Sequence, residues 1–227
     1  MIDPNLAAAT AHLVNLLESG RADLAATDAV AQRARFPHAV EPARLHGIAL
    51  FQLGRMGDAR DALQTARALA PQSIEVLCNL GSVLLADGDV TGATAALEQA
   101  FALAPDHGAV LKGLGNARRA GGDVAGARQA YARAAHAMPD YAGAWLNLAA
   151  IELACGEPAS AGQTARRALT LAPEHPEALL LLGHVLAAQR RHADAEAAYA
   201  TGERSAPTDA RFPYQRGLMA EEQKQFA

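Results

Sequence analysis

The sequence predicts an all-α solenoid of repeated helix hairpins, and three observations carry that reading. Prolines recur at Pro37, Pro71, Pro105, Pro139, Pro173 and Pro207, one constant interval apart and without slippage. With proline at roughly 5% of an average chain, five successive hits after the first have a chance of about 10⁻⁷. Glycines recur halfway between the prolines, at Gly20, Gly54, Gly88, Gly122 and Gly156. The third observation is composition: alanine is abundant, aromatics make up 4% and β-branched runs are absent, which suits helices packed through small side chains. At 227 residues and 51% hydrophobic, the chain is long enough for one or two ordinary domains or one elongated solenoid, and the unbroken period selects the solenoid.

Each element of the repeating unit follows in order. The first helix carries a glycine column, Gly47, Gly81, Gly115, Gly183 and Gly217, with Ala149 in the fifth copy. Mid-helix glycine costs about 0.5–1 kcal/mol relative to alanine, so the column marks where a neighbouring helix comes close. The halfway glycines close that helix, since a left-handed C′ residue is least strained when it is glycine; the sixth copy places Arg190 there. Two residues on, Ala22, Met56, Val90, Val124 and Pro158 open the second helix, proline being suited to a first turn. That helix repeats a small residue at Ala25, Ala59, Ala93, Ala127, Ala161 and Ala195, and one helical turn later a larger knob at Leu63, Leu97, Tyr131 and Tyr199, with Ala29 and Ala165 as exceptions. The proline column, as in "FALAPDH", ends the second helix of every copy.

Charge and motifs exclude several functional classes. Net charge is -4 with scattered cations, so there is no basic footprint for nucleic acid. No stretch approaches a membrane span, and the start lacks a basic n-region with an apolar core; a soluble, cytoplasmic protein is expected. Alanine and arginine richness with Lys112 and Lys224 as the only lysines points to a bacterial source. Cys78 and Cys155 lie two copies apart in different columns, which argues against a disulfide and for two small buried hydrophobes. The eight histidines show no metal spacing, neither a phosphate-loop nor a nucleophile-elbow motif occurs, and no cofactor or enzyme activity is expected.

These columns resemble the tetratricopeptide repeat family, whose pattern is W-x-x-L-G-x-x-Y, then A-x-x-x-F, then P, within a unit of about 34 residues. The interval between successive prolines here has that length. Trp145, Leu148, Ala149 and Glu152 carry the first half in one copy, Leu77, Leu80, Gly81 and Leu84 in another, while Ala127, Tyr131 and Pro139, and again Ala195, Tyr199 and Pro207, carry the second. The slightly longer pentatricopeptide register would have drifted visibly over five intervals, and the prolines show no drift. The resemblance implies one right-handed superhelical solenoid over 1–227, with copies at 6–39, 40–73, 74–107, 108–141, 142–175 and 176–209 and a partial copy or capping helix at 210–227. Phe226 favours a chain cut within a seventh copy. The function expected is a non-enzymatic protein-interaction scaffold; the alternative is the N-terminal interaction domain of a larger bacterial enzyme such as a glycosyltransferase, sulfotransferase or oxygenase.

The resemblance also implies a protein or peptide partner held on a concave face lined by the first helices. Helical projection assigns to that face Glu41, Arg44, Ile48 and Phe51; Glu75, Cys78, Asn79 and Ser82; Lys112, Asn116 and Arg119; Leu146, Asn147 and Ala150; and Glu177, Leu180 and His184. Chaperone adaptors of this family grip a C-terminal carboxylate with a clamp, of which Lys112, Asn116 and Asn147 match three positions while Glu177 and Leu181 occupy the other two. The asparagine ladder of O-linked N-acetylglucosamine transferases is matched by Asn79 and Asn147 alone. Candidate binding residues are therefore Asn79, Lys112, Asn116 and Asn147, with Arg44 and His184 flanking. Arg118 and Glu152 share a column one copy apart and form a candidate ion pair. Trp145 is expected between the helices of its own copy.

Overall fold

The computed structural model describes residues 3–225, and among them there are thirteen α-helices and no strand. Phe226, on which the cut-chain expectation rests, lies outside the described residues. The helices form two compact units, Met1–Gly122 and Asp123–Ala227.

The first unit holds α1 (Pro4–Glu18), α2 (Ala22–Arg35), α3 (Val40–Gln52), α4 (Met56–Leu69), α5 (Ile74–Ala86), α6 (Val90–Leu103) and α7 (Gly108–Ala120). Each helix packs on the next, α6 on α7 included, and α1, α3, α5 and α7 also touch in succession. This puts the first helices of successive hairpins side by side, as a repeat solenoid requires. The second unit holds α8 (Val124–Ala137), α9 (Ala142–Ala154), α10 (Pro158–Leu171), α11 (Pro176–Ala188), α12 (His192–Ser205) and α13 (Arg211–Gln225), and here α9 packs on α11 in the same way.

Local chemistry explains the boundaries. After five of the first helices the residue following the turn donates its N–H back to a carbonyl in the last turn: Arg21 to Leu16, Arg55 to Leu50, Asp89 to Leu84, Glu157 to Glu152 and Arg191 to Leu186. This is a Schellman closure, and it needs a left-handed residue at the turn. The glycine column supplies it with φ between 74° and 85°, and Arg190 adopts it at φ 60°. Second helices start under side-chain caps where the sequence allows, Asp89 accepting from the Gly92 N–H and Asp123 from the Gly126 N–H.

Gly47, Gly81 and Gly183 sit against the knobs of the following helix, whereas a methyl group at Gly217 would meet nothing within 4 Å. A methyl group at Gly47 would fall 2.5 Å from Leu63 Cγ and one at Gly81 2.7 Å from Leu97 Cγ, while at Gly183 it would collide with the Tyr199 ring. Leu63, Leu97 and Tyr199 are in turn almost fully buried, so the small column and the large column are two halves of one contact. Two expectations are corrected. Cys155 caps the C-terminus of α9 and is exposed rather than buried. Trp145 reaches back beyond its own hairpin: its Nε1–H donates to the Pro139 carbonyl at 2.9 Å, its ring meets His136 of α8 edge-on at 6.1 Å, and Arg167 of α10 lies 5.8 Å above it.

Candidate functional site

In the first unit, the projected residues lie on α3, α5 and α7. Arg44 is largely buried and forks onto Glu41, with Nη2 2.6 Å from Oε2. Glu75 is held below the usual carboxylate range, first by a hydrogen bond from its own backbone N–H, then by the Ser73 hydroxyl, with Arg44 and His107 adding positive charge. Cys78 follows Glu75 by about one turn on α5 and feels the charges of both Glu75 and Lys112. Burial, reinforced by Glu75 and opposed by Lys112, pushes its thiol up to about 11, so the sulfur is a protonated, weakly polar wall rather than a nucleophile. The Ser82 hydroxyl is spent on the Cys78 carbonyl. Asn79 is half-buried, and its Nδ2 is buried with no hydrogen-bond partner. Lys112 and Asn116 are half-buried one turn apart on α7.

In the second unit, α9 and α11 bring Leu146, Asn147, Ala150, Glu177, Leu180, Leu181 and His184 around one cleft of about 420 Å³. Helical projection assigns all of these to this face except Leu181. The floor and walls are aliphatic; the polar groups are the Asn147 amide, the Glu177 carboxylate and the His184 ring. His184 packs edge-on against Tyr199 at 5.9 Å. Burial, and then the charge of Arg211, depress its pKa, which favours the neutral ring.

Arg211 is the residue that sequence reasoning missed. Its guanidinium is bidentate on Glu177, at 2.5 and 3.1 Å, and also grips Asp209 at 2.7 Å. Asp209 is held below its usual range chiefly by those Arg211 hydrogen bonds. Glu177 is therefore a neutralised rim group and not a bare carboxylate. The available signal was the step of one repeat from Glu177 to Arg211, which sets opposite charges on successive first helices. Glu152 is 6% exposed, with Oε1 accepting from the Ser160 hydroxyl at 2.7 Å and Oε2 buried without a partner.

Sequence models of the tetratricopeptide repeat match residues 10–74, 78–142 and 114–176, and a second such model matches 156–220. No curated protein matches the sequence. Among solved structures, the chain is similar to a thermophilic TPR protein of Thermus thermophilus, at 24% identity over 80% of this chain and 99% of that one, with a TM-score of 0.67. It is also similar to PilW, a widely conserved type IV pilus biogenesis factor, at 16% identity, 94% and 99% coverage and a TM-score of 0.83. A third is YrrB, a TPR protein with an unusual peptide-binding site, at 14% identity, 83% and 97% coverage and a TM-score of 0.62. At these identities the likeness is one of fold.

Proposed function

Because this chain belongs to the tetratricopeptide repeat family, we propose that it is a non-enzymatic protein-interaction scaffold of the bacterial cytoplasm that binds a partner peptide along its first helices. The observation that carries this reading is the α9–α11 cleft. An aliphatic slot beside a single primary amide suits one apolar side chain of an extended peptide, with Asn147 offering both donor and acceptor to the main chain. With Glu177 neutralised by Arg211, the slot favours an uncharged side chain. In the first unit, Asn79, Lys112 and Asn116 offer polar groups of their own on α5 and α7, where Lys112 suits an acidic side chain or a carboxylate terminus. That YrrB is a TPR protein with an unusual peptide-binding site is in keeping with a peptide as the ligand.

Asn79 gives the reading an energetic side. A buried amide hydrogen without a partner costs about 1–3 kcal/mol, and the same column holds Leu45, 3% exposed, and Leu181. A polar group kept at such a position against stability is in keeping with use by a ligand. The test begins with a peptide selected from a displayed library against the whole chain and titrated calorimetrically. Asn116→Ala with Asn147→Ala is expected to weaken it by about 1–3 kcal/mol, at roughly 0.5–1.5 per net hydrogen bond, with little change in Tm. Asn79→Leu is expected to weaken binding while raising Tm. Undiminished affinity in both variants would reduce these residues to solvated decoration of the repeat.

A further inference from the structure

On the opposite side of the first unit, α2 and α4 flank a second groove that the first-helix surface does not use. It has a volume of about 670 Å³, and its floor comes from the end of α3, at His46, Leu50 and Leu53. A smaller extension of about 300 Å³ continues it past Val30 toward Phe36 and Leu69. Val30 and Leu53 line it while remaining 55% and 42% exposed. In the next copy their columns hold Gln64 and Asp87. The neighbouring groove between α4 and α6 is accordingly walled by Arg60, Gln64, Arg67 and Gln99. Two large apolar side chains thus stand open to solvent where the following copy is polar, and together they make a patch that burial would stabilise.

The groove's charges are unevenly satisfied. Arg55 is held by Asp58, with 2.6 Å between Nη2 and Oδ2. Arg33 donates from Nη1 to His46 Nδ1 at 2.9 Å. That bond leaves the Arg33 charge in place, but the lining still carries three carboxylates, Asp23, Asp58 and Asp61, against the two guanidiniums of Arg33 and Arg55; Asp61 on α4 is 74% exposed and loosely paired with Arg60 at 3.9 Å. A ligand with a cation beside its apolar face is therefore the complementary one. Its backbone must also be accounted for. The walls are helices whose main-chain groups are already used, and no Asn or Gln lines the α2–α4 groove, so an extended segment would lose hydrogen bonds to water without replacement. A helix brings its backbone bonds with it.

We propose that the groove between α2 and α4 is a second docking site, for an amphipathic helix that buries aliphatic side chains against Val30 and Leu53 and sets a lysine or arginine against Asp23 and Asp61. From Asp23 to Phe36 along α2, the groove accommodates a ligand helix of roughly 13 residues at about 1.5 Å per residue, read through anchors at i, i+3, i+4 and i+7.

The probes are three fluorescein-labelled helical peptides of roughly 16 residues: leucines at the anchor positions flanked by lysines, the same leucines flanked by glutamates, and the lysine peptide with serines at the anchors. Anisotropy titrations on the whole chain should show the lysine–leucine peptide binding about tenfold or more tighter than either control. Val30→Gln with Leu53→Asp, the residues the next copy carries, should cost about tenfold or more. Asp23→Lys with Asp61→Lys should transfer the preference to the glutamate peptide, a gain that loss of folding cannot imitate. Asn116→Ala with Asn147→Ala should leave the titration unchanged, which separates this site from the first-helix surface. Equal binding of the two leucine peptides, or insensitivity to the Val30 and Leu53 changes, overturns the proposal. So does a dimer seen by sedimentation that the Val30 and Leu53 changes abolish, since the occupant would then be a second copy of the chain.

Discussion

Arg190 is the one described non-glycine residue with a left-handed backbone, at φ 60°, in a column where Gly20, Gly54, Gly88, Gly122 and Gly156 take the same conformation. An L residue carries roughly 1–2 kcal/mol of strain there. Glycine relieves it but gives back about 0.4–1 kcal/mol through the greater freedom of the unfolded chain. Arg190→Gly is therefore expected to stabilise the protein by about 0.5–1 kcal/mol, a rise of roughly 2 °C in Tm for a chain of this size. The side chain is exposed, so no contact offsets the gain; an unchanged or lowered Tm in a thermal melt would show that the strain is not there. The sequence marks this position as odd because turn chemistry is local, and one residue's φ dictates which side chains are tolerated.

At the scale of helices, packing is carried by pairs of columns at a fixed offset, a first-helix glycine and a second-helix knob such as Gly81 with Leu97. Leu97 is 1% exposed and its branched end fills the space that a Gly81 side chain would take; it also lies 2.6 Å from where a methyl group on Gly113 would stand. Gly81→Ala should cost about 1–3 kcal/mol by overpacking and Leu97→Ala about 2–5 kcal/mol by leaving a cavity. Because the added methyl enters the vacated space, the double variant should be less destabilised than the sum, by roughly 0.5–3 kcal/mol. Additive urea midpoints would refute the pairing. These contacts were legible in the sequence because small and large residues recur at fixed offsets, and so were the helix limits. The candidate site was legible in part: the residues that projection sets on one face, Leu146, Asn147, Ala150, Glu177, Leu180 and His184, line one cleft. Projection misses Arg211, because an ion pair between successive hairpins depends on how two long side chains reach across, not on the face each occupies. Cys155 and Trp145 fail for a related reason: a column fixes a residue's position on its helix but not whether its side chain is covered or which neighbour covers it.

For the molecule as a whole, the pH response follows from one half-buried histidine in each unit. His46 has its pKa lowered by burial, then by Arg33 and Arg55 with Asp58 opposing; His184 has its pKa lowered by burial and then by Arg211. Both folded values lie below the ordinary 6.5. The unfolded chain therefore takes up protons that the folded chain resists, and stability rises with pH through this range. The contribution is complete above pH 6.5 and is lost as pH falls through the folded values. Glu75 and Asp209, whose pKa values are also lowered, add a separate loss that begins only below their ordinary 4.5 and 3.8. Two acid phases should thus be separable. Tm should be flat from about pH 8 to 7, decline as pH falls below about 6.5, and fall more steeply below about 4.5. His46→Gln with His184→Gln should flatten the upper decline and leave the lower one, because glutamine can still accept a hydrogen bond from Arg33 but cannot take up a proton. The comparison is between slopes, so a uniform change in Tm from the substitutions does not disturb it, whereas an unaltered slope just below about pH 6.5 would mean that neither ring is kept neutral by the fold.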